Sequence, residues 1–240
     1  MSGHSKWSTI KRAKGVKDAK RGAVFTKLGK LITIAARGKG GDLDSNFSLR
    51  MAVDKAKASN MPKDNIERAI KRGTGEIEGG HIEELIYEGL GPAKSQFVLK
   101  ALTDNKNRSA SEIRHLFSKC GGSLGAVLWN FSQKGVIRIS TENIKDISWD
   151  ELELELIDAG ADDIIKEDEG ITIYTKVEDL QKTKTFLDNK NITTESSEIE
   201  YIAKEEQTIT EGDKEKIEKF IDELEDNGDV SEYYNNISNI

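Results

Sequence analysis

Apolar residues recur along this chain with two periods, one helical and one extended, and the switch between them comes near residue 75. Phe25, Leu28, Ile32 and Ala35 fall at i, i+3, i+7 and i+10, the spacing of one helical face, and Gly38 is placed to stop that helix. Leu49, Val53 and Ala56 mark a second helix with Asn46 as its N-cap. Pro62 stands where a first helical turn tolerates proline, and Ile66, Ala69 and Ile70 give a third helix a narrow apolar stripe that Gly73 ends. Arg68, Lys71 and Arg72 fall largely off that stripe. The pattern predicts three short helices whose outer side is cationic.

Beyond Gly75 the period shortens. Segments 82–87 and 97–102 read as strands, 107–120 as a helix stopped by Gly121-Gly122, and 127–131 as a further strand. A second series follows: a strand at 136–139, a helix carrying Trp149, Leu152 and Leu156, strands at 163–166 and 171–175, a helix at 178–187 and a strand at 199–203. This is the βαββαβ order of the ferredoxin-like, split βαβ motif. Leu152, Leu154 and Leu156 also alternate as a strand would, but Ser148 with Glu151 three residues later makes a capping box and favours helix. A helix with Ile217, Phe220, Ile221 and Leu224 and a strand at 230–234 then supply what the 79–134 segment lacks. The expectation is an α+β protein. It has a basic three-helix domain over 1–78, a middle α/β domain from 79–134 plus 206–240, and a related α/β domain over 135–205 inserted in the middle one.

Charge sharpens this division. Residues 1–75 hold 18 Lys and Arg against 6 Asp and Glu, a net of +12, whereas the remaining 165 hold 18 against 37, a net of −19. One end is therefore suited to a polyanion while the rest repels it. Between Gly3 and Gly22, Lys6, Lys11, Arg12, Lys14, Lys17, Lys20 and Arg21 face a single acid, Asp18. Such a cationic chain end gains order from a phosphate-rich partner. Trp7 in that stretch suits either stacking on an exposed base or packing onto the helices. With Lys27, Arg68, Lys71 and Arg72 these residues form the candidate nucleic-acid contact surface.

Other chemistry is thin. The Gly-rich segment 37–41 has no preceding strand and lacks the spacing of a phosphate loop, so it reads as a flexible hinge, and the segment 121–125 reads as a turn. The three histidines and Cys120 match no zinc spacing, and His115 and Cys120 fall on different faces of one helix. Asp162-Asp163 and 167–169 read as solvated turns. No apolar run reaches the roughly 20 residues of a membrane helix, and a single cysteine fits a reducing cytoplasm. No catalytic set, cofactor, membrane or small-molecule substrate is expected.

Several separated segments carry a family signature: GHSKW at 3–7, RGAVFTKL at 21–28, NMPKDNIERAIKRGTG at 60–75, LTDNKNRSASEIRHLFSKCGG at 102–122, and IDELEDNGDVSEYYNNI near the end. Together these resemble the YebC-type family over essentially the whole chain. The resemblance starts at Gly3, which reads the basic start as mature protein rather than a cleaved presequence. It implies a helical domain and two related α/β domains, one inserted in the other, and no catalysis or cofactor. It also implies either a cytoplasmic DNA-binding transcriptional regulator or a translation factor acting on ribosomal RNA at the ribosome. The sequence departs from the family pattern in a shortened loop after Gly125 and in Ala13 and Gly29, where larger or basic residues are expected.

Overall fold

The computed structural model describes residues 18–145 and 147–239, with side chains from Arg21 onward. Three helices come first: α1 (Asp18–Lys39), α2 (Phe47–Ala58) and α3 (Lys63–Thr74). They enclose a core of Leu28, Ile32, Ala36, Leu49, Ala52, Val53, Ala56, Met61, Ile66 and Ala69, so the helical spacing in the sequence does mark the buried faces. Asn46 caps α2 as expected, its Oδ1 accepting the Leu49 N–H at 3.1 Å.

The expected helix ends need correction. α1 runs past Gly38 to Lys39, and the left-handed residue after it is Gly40 (φ +88°). Similarly, α3 passes through Gly73 and is closed by Gly75 at φ +82°. Gly73 serves the crossing of α1 and α3 instead: a Cβ there would lie 2.5 Å from the Thr33 carbonyl oxygen and 2.6 Å from the Ala36 Cβ. Nor is 37–41 a loose hinge. The Asn46 amide donates to the carbonyls of Ala35 (2.9 Å) and Gly40 (2.7 Å), tying the loop to two helices at once.

Two four-stranded antiparallel sheets make up the remainder. The first contains β1 (Glu83–Leu90), β2 (Gln96–Thr103), β3 (Ser123–Leu124) and the late strand β8 (Val230–Asn235), in the order β3-β1-β2-β8. α4 (Lys106–Lys119) and α7 (Glu211–Asp226) cover it around Phe97, Phe117 and Phe220, whose rings meet edge to face. The second sheet, in the order β5-β6-β4-β7, is formed by β4 (Phe131–Ser140), β5 (Ala161–Glu167), β6 (Gly170–Thr175) and β7 (Ser196–Ala203). α5 (Trp149–Asp158) and α6 (Leu180–Asn189) pack on it. The β-α-β-β-α-β succession is thus present in the second half.

The two sheets share one spatial plan. β2 and β4 occupy equivalent central positions, each leading through a helix to the parallel edge strand (β3 or β5), and β8 and β7 close the other edge. The filling strand comes before β2 in the first sheet (β1) and after β5 in the second (β6), so the spatial order matches while the chain order is permuted.

Three local expectations also change. Residues 127–131 do not form a separate strand: Glu88 accepts the N–H groups of Val127 (2.6 Å) and Leu128 (2.7 Å), and the chain makes a 3₁₀ turn over Leu128–Asn130. β4 then starts at Phe131. The Ser148 side chain makes no capping bond, so α5 rests on burial of Leu152 and Leu156. Asp162 and Asp163 lie within β5, and only Asp168 and Glu169 form a turn.

Two glycines in the bundle test this packing in opposite directions. At Gly29 a Cβ would meet only the Met61 Cε, at 3.9 Å, so Gly29→Ala should raise stability by about 0.5–1 kcal/mol through backbone entropy. Gly73→Ala should lower it by about 1–3 kcal/mol, because the helices must separate. Urea denaturation of both variants measures this, and equal effects would contradict the crossing geometry.

Candidate nucleic-acid interface

Cations of the bundle divide into those that hold it to the sheets and those left for solvent. On α1, Lys27 donates to the Glu225 carbonyl (2.6 Å), and Lys30 donates to the carbonyls of Leu102 (2.9 Å) and Gly228 (3.1 Å) and to the Asp229 carboxylate (2.9 Å). Arg37 reaches the Ile82 carbonyl at 2.7 Å. On α2, Lys55 lies between Glu232 of β8 (2.6 Å) and Glu198 of β7 (3.2 Å), touching both sheets. Lys100 of β2 adds a second bond to Glu232 (3.1 Å), and Tyr234 donates to the same carboxylate at 2.7 Å. Burial alone would push Lys55 down, but Glu198 and Glu232 outweigh it and hold the ammonium above the ordinary lysine value.

Asp229 is the centre of the other anchor. Its side chain, 7% exposed, accepts from Lys30, from Arg108 at 3.0 Å and from the Thr103 hydroxyl at 2.9 Å. Burial pushes this carboxyl up, and the hydrogen bonds from Lys30, Arg108 and Thr103 more than reverse that, leaving it below the usual value.

Of the residues expected to contact nucleic acid, Lys6, Trp7, Lys11, Arg12, Lys14 and Lys17 lie outside the described residues, and Lys20 is placed on α1 by its backbone alone. Arg21 is exposed near the start of α1. Lys27 is committed to the Glu225 carbonyl, on the side of α1 that meets the first sheet. Arg68, Lys71 and Arg72 are exposed at i, i+3 and i+4 on α3, and α3's buried residues are Ile66, Ala69 and Gly73. Like charges at this spacing repel by about 0.2–0.5 kcal/mol per pair. The bundle therefore keeps a cationic face that its own folding does not require.

Sequence reasoning missed the anchoring role of Lys30 and Lys55, since nothing in the order of residues pairs position 30 with 229 or 55 with 232. Two other places offer little for an anion or a metal. A groove of about 610 Å³ between α2 and the second sheet sets Asp54, Asp188, Glu195 and Glu198 against Arg50, Lys55 and Lys184, an acidic balance. No cluster of His, Cys, Asp and Glu that could hold a metal ion occurs among the described residues, nor does a helix long and apolar enough to cross a membrane.

A cationic helical bundle fastened by its lysines to two antiparallel sheets is a multi-part architecture, and comparison with known proteins matches it part by part. Residues 5–76 match the TACO1/YebC protein N-terminal domain, and residues 82–237 match the TACO1/YebC second and third domain. The chain belongs to the TACO1/YebC family. A relative from Thermoanaerobacter pseudethanolicus is 47% identical over 240 residues, covering 99% of this chain and 97% of its own length. Another, from Thermotoga maritima, is 48% identical over 239 residues, covering 98% and 93%. Both carry the name "Probable transcriptional regulatory protein". The crystal structure of a conserved hypothetical protein from Aquifex aeolicus matches with a TM-score of 0.81 at 39% identity, covering 92% of this chain and 91% of that one.

Acid should release the Asp229 anchor. A carboxyl depressed on folding contributes stability that is complete above its unfolded value of about 3.9 and is lost as pH falls through the folded value. Asp229→Asn should therefore cost about 1.5–3 kcal/mol at pH 7, and the gap from wild type should shrink below about pH 4. Denaturation across a pH series reads this; a gap constant down to pH 2 would contradict it.

Proposed function

We propose that this chain is a non-enzymatic, nucleic-acid-binding regulator of gene expression, acting in the cytoplasm as a DNA-binding transcriptional regulator. The observation that carries the proposal is the unbalanced cationic bundle: a net of +12 in residues 1–75, with Arg68, Lys71 and Arg72 exposed on one helix face. The names of the relatives point the same way. Phosphate contacts would come from Lys6, Lys11, Arg12, Lys14, Lys17, Lys20 and Arg21 with that face of α3. The reading takes residues 1–78 as the unit facing nucleic acid, with 79–134 plus 206–240 as the middle unit and 135–205 as the unit carried within it.

Catalysis finds little support. Burial pushes the Cys120 thiol above its ordinary value, which disfavours a thiolate nucleophile, and His115 stands exposed on the same helix. A second reading, an RNA-binding translation factor at the ribosome, is favoured by one feature, an aromatic residue (Trp7) among cations, which suits unpaired bases.

Competition among duplex DNA, single-stranded RNA and purified ribosomes at physiological salt separates these readings. Duplex DNA binding without ribosome co-sedimentation is the expected result, and salt-resistant ribosome binding that duplex DNA does not compete would favour the second. Replacing Lys11, Arg12, Lys14 and Lys17 with Ala should flatten the slope of log affinity on log salt by roughly 3–4 units. An unchanged slope would remove these residues from the contact.

A further inference from the structure

The region after residue 75 carries a net of −19, yet its helix α4 is strongly basic. α4 holds Lys106, Arg108, Arg114, His115 and Lys119 against a single acid, Glu112. Its core side is settled by Ser109, Ile113 and Phe117, so folding does not ask for cations on the other side. Asn107, Ser111, Arg114 and Ser118, at i, i+4, i+7 and i+11, form one exposed stripe of hydrogen-bonding groups without a carboxylate. Arg114 and His115 make no ion pair among the described residues. Lys106, Arg108 and Lys119 do pair, with Glu83 (2.7 Å), Asp104 (2.9 Å) and Asp229 (3.0 Å), and Glu223 (2.7 Å) respectively. The Lys106–Glu83 and Arg108–Asp104 pairs are largely solvent-exposed and hold weakly, whereas Arg108 is also committed to the shielded Asp229.

Position connects this stripe with the bundle. Gly79 lies against Arg72 of α3, where a Cβ would be 2.3 Å from the Arg72 Cγ. Two residues on, His81 meets Arg37 of α1 (3.5 Å) and Glu83 (3.5 Å), and Glu83 pairs with Lys106 at the start of α4. The cationic ends of α1 and α3 thus pass through touching groups into the first turn of α4.

We infer that the exposed face of α4, centred on Arg114 and His115, is a second phosphate-binding surface that extends the bundle's contact with duplex DNA onto the first sheet's domain. The inference rests on the nucleic-acid-binding reading above. Duplex is the occupant the chemistry favours: single strands are gripped chiefly by stacking on large aromatic side chains, and the exposed face of α4 carries no Phe, Tyr or Trp. A row of side chains set along a helix packed on the first sheet beside α7 suits a stiff backbone. Asn and Ser side chains beside an arginine are ordinary donors to phosphate oxygens.

The test is titration of the full-length protein with a 30-base-pair DNA duplex, a duplex RNA and a single-stranded RNA of the same sequence over a salt series. Arg114→Gln should weaken DNA binding by about fivefold at 0.15 M salt and reduce the salt slope by about 1, the effect of one lost phosphate contact. Glu112→Gln, which removes the only acid of α4, should move affinity the other way. The bundle variants serve as the reference. If the arm cations matter while Arg114→Gln and Glu112→Gln leave affinity and slope unchanged, the inference falls and the functional reading stands. Loss confined to single-stranded or duplex RNA would also overturn it. If the wild-type protein binds none of the probes, both fall together.

Discussion

The attachment of a positively charged helical bundle to negatively charged sheets is the constraint on which the rest of this molecule depends. It is made by few groups. Lys30 and Arg108 converge on Asp229, Lys55 and Lys100 converge on Glu232, and Glu198 ties the second sheet to the same lysine. The carboxylates are mostly shielded, with side-chain exposures of 7% and 12% for Asp229 and Glu232. Charges in that setting are screened weakly by salt, whereas the exposed cations of α3 feel salt fully. One surface can therefore exchange counterions with a polyanion while the frame behind it stays fixed.

The same division explains why a total charge of −7 describes the protein poorly. Bundle cations facing inward are matched by specific acids and carbonyls of the sheets, and Arg68, Lys71 and Arg72 face outward on α3. The remainder, at a net of −19, is electrostatically unfavourable for a polyanion. α4, with Lys106, Arg108, Arg114 and Lys119 against Glu112, departs from that acidic balance.

Much of the architecture was legible in the residue order. Period and caps located the three helices, the two sheets and the return of α7 and β8, because each element buries a face that its own spacing announces. Where expectation and structure part, a long-range contact decides. Gly73 looks like a helix stop until Thr33 and Ala36 of α1 are seen against it, and 127–131 looks like a strand until Glu88 takes its N–H groups. The candidate site was legible as charge and not as geometry: Lys27 shares its helix with other cations yet serves as an internal fastener, because which side of α1 meets the sheets depends on residues 198 positions away. Arg114 lies within the segment 102–122, but its place on a basic helix stands out only against the acidic surroundings of α4.

The pairing of Phe131 with Ala203 at the foot of β4 and β7 has a consequence for how such a chain assembles. The excursion that builds the second sheet departs and comes back at facing residues, with Cα atoms about 5 Å apart. Once that excursion has collapsed, the first sheet no longer has to close a gap of some seventy flexible residues before α7 and β8 can join β2. The entropy of that closure grows with loop length, so the later-synthesised element arrives at a nearly finished edge.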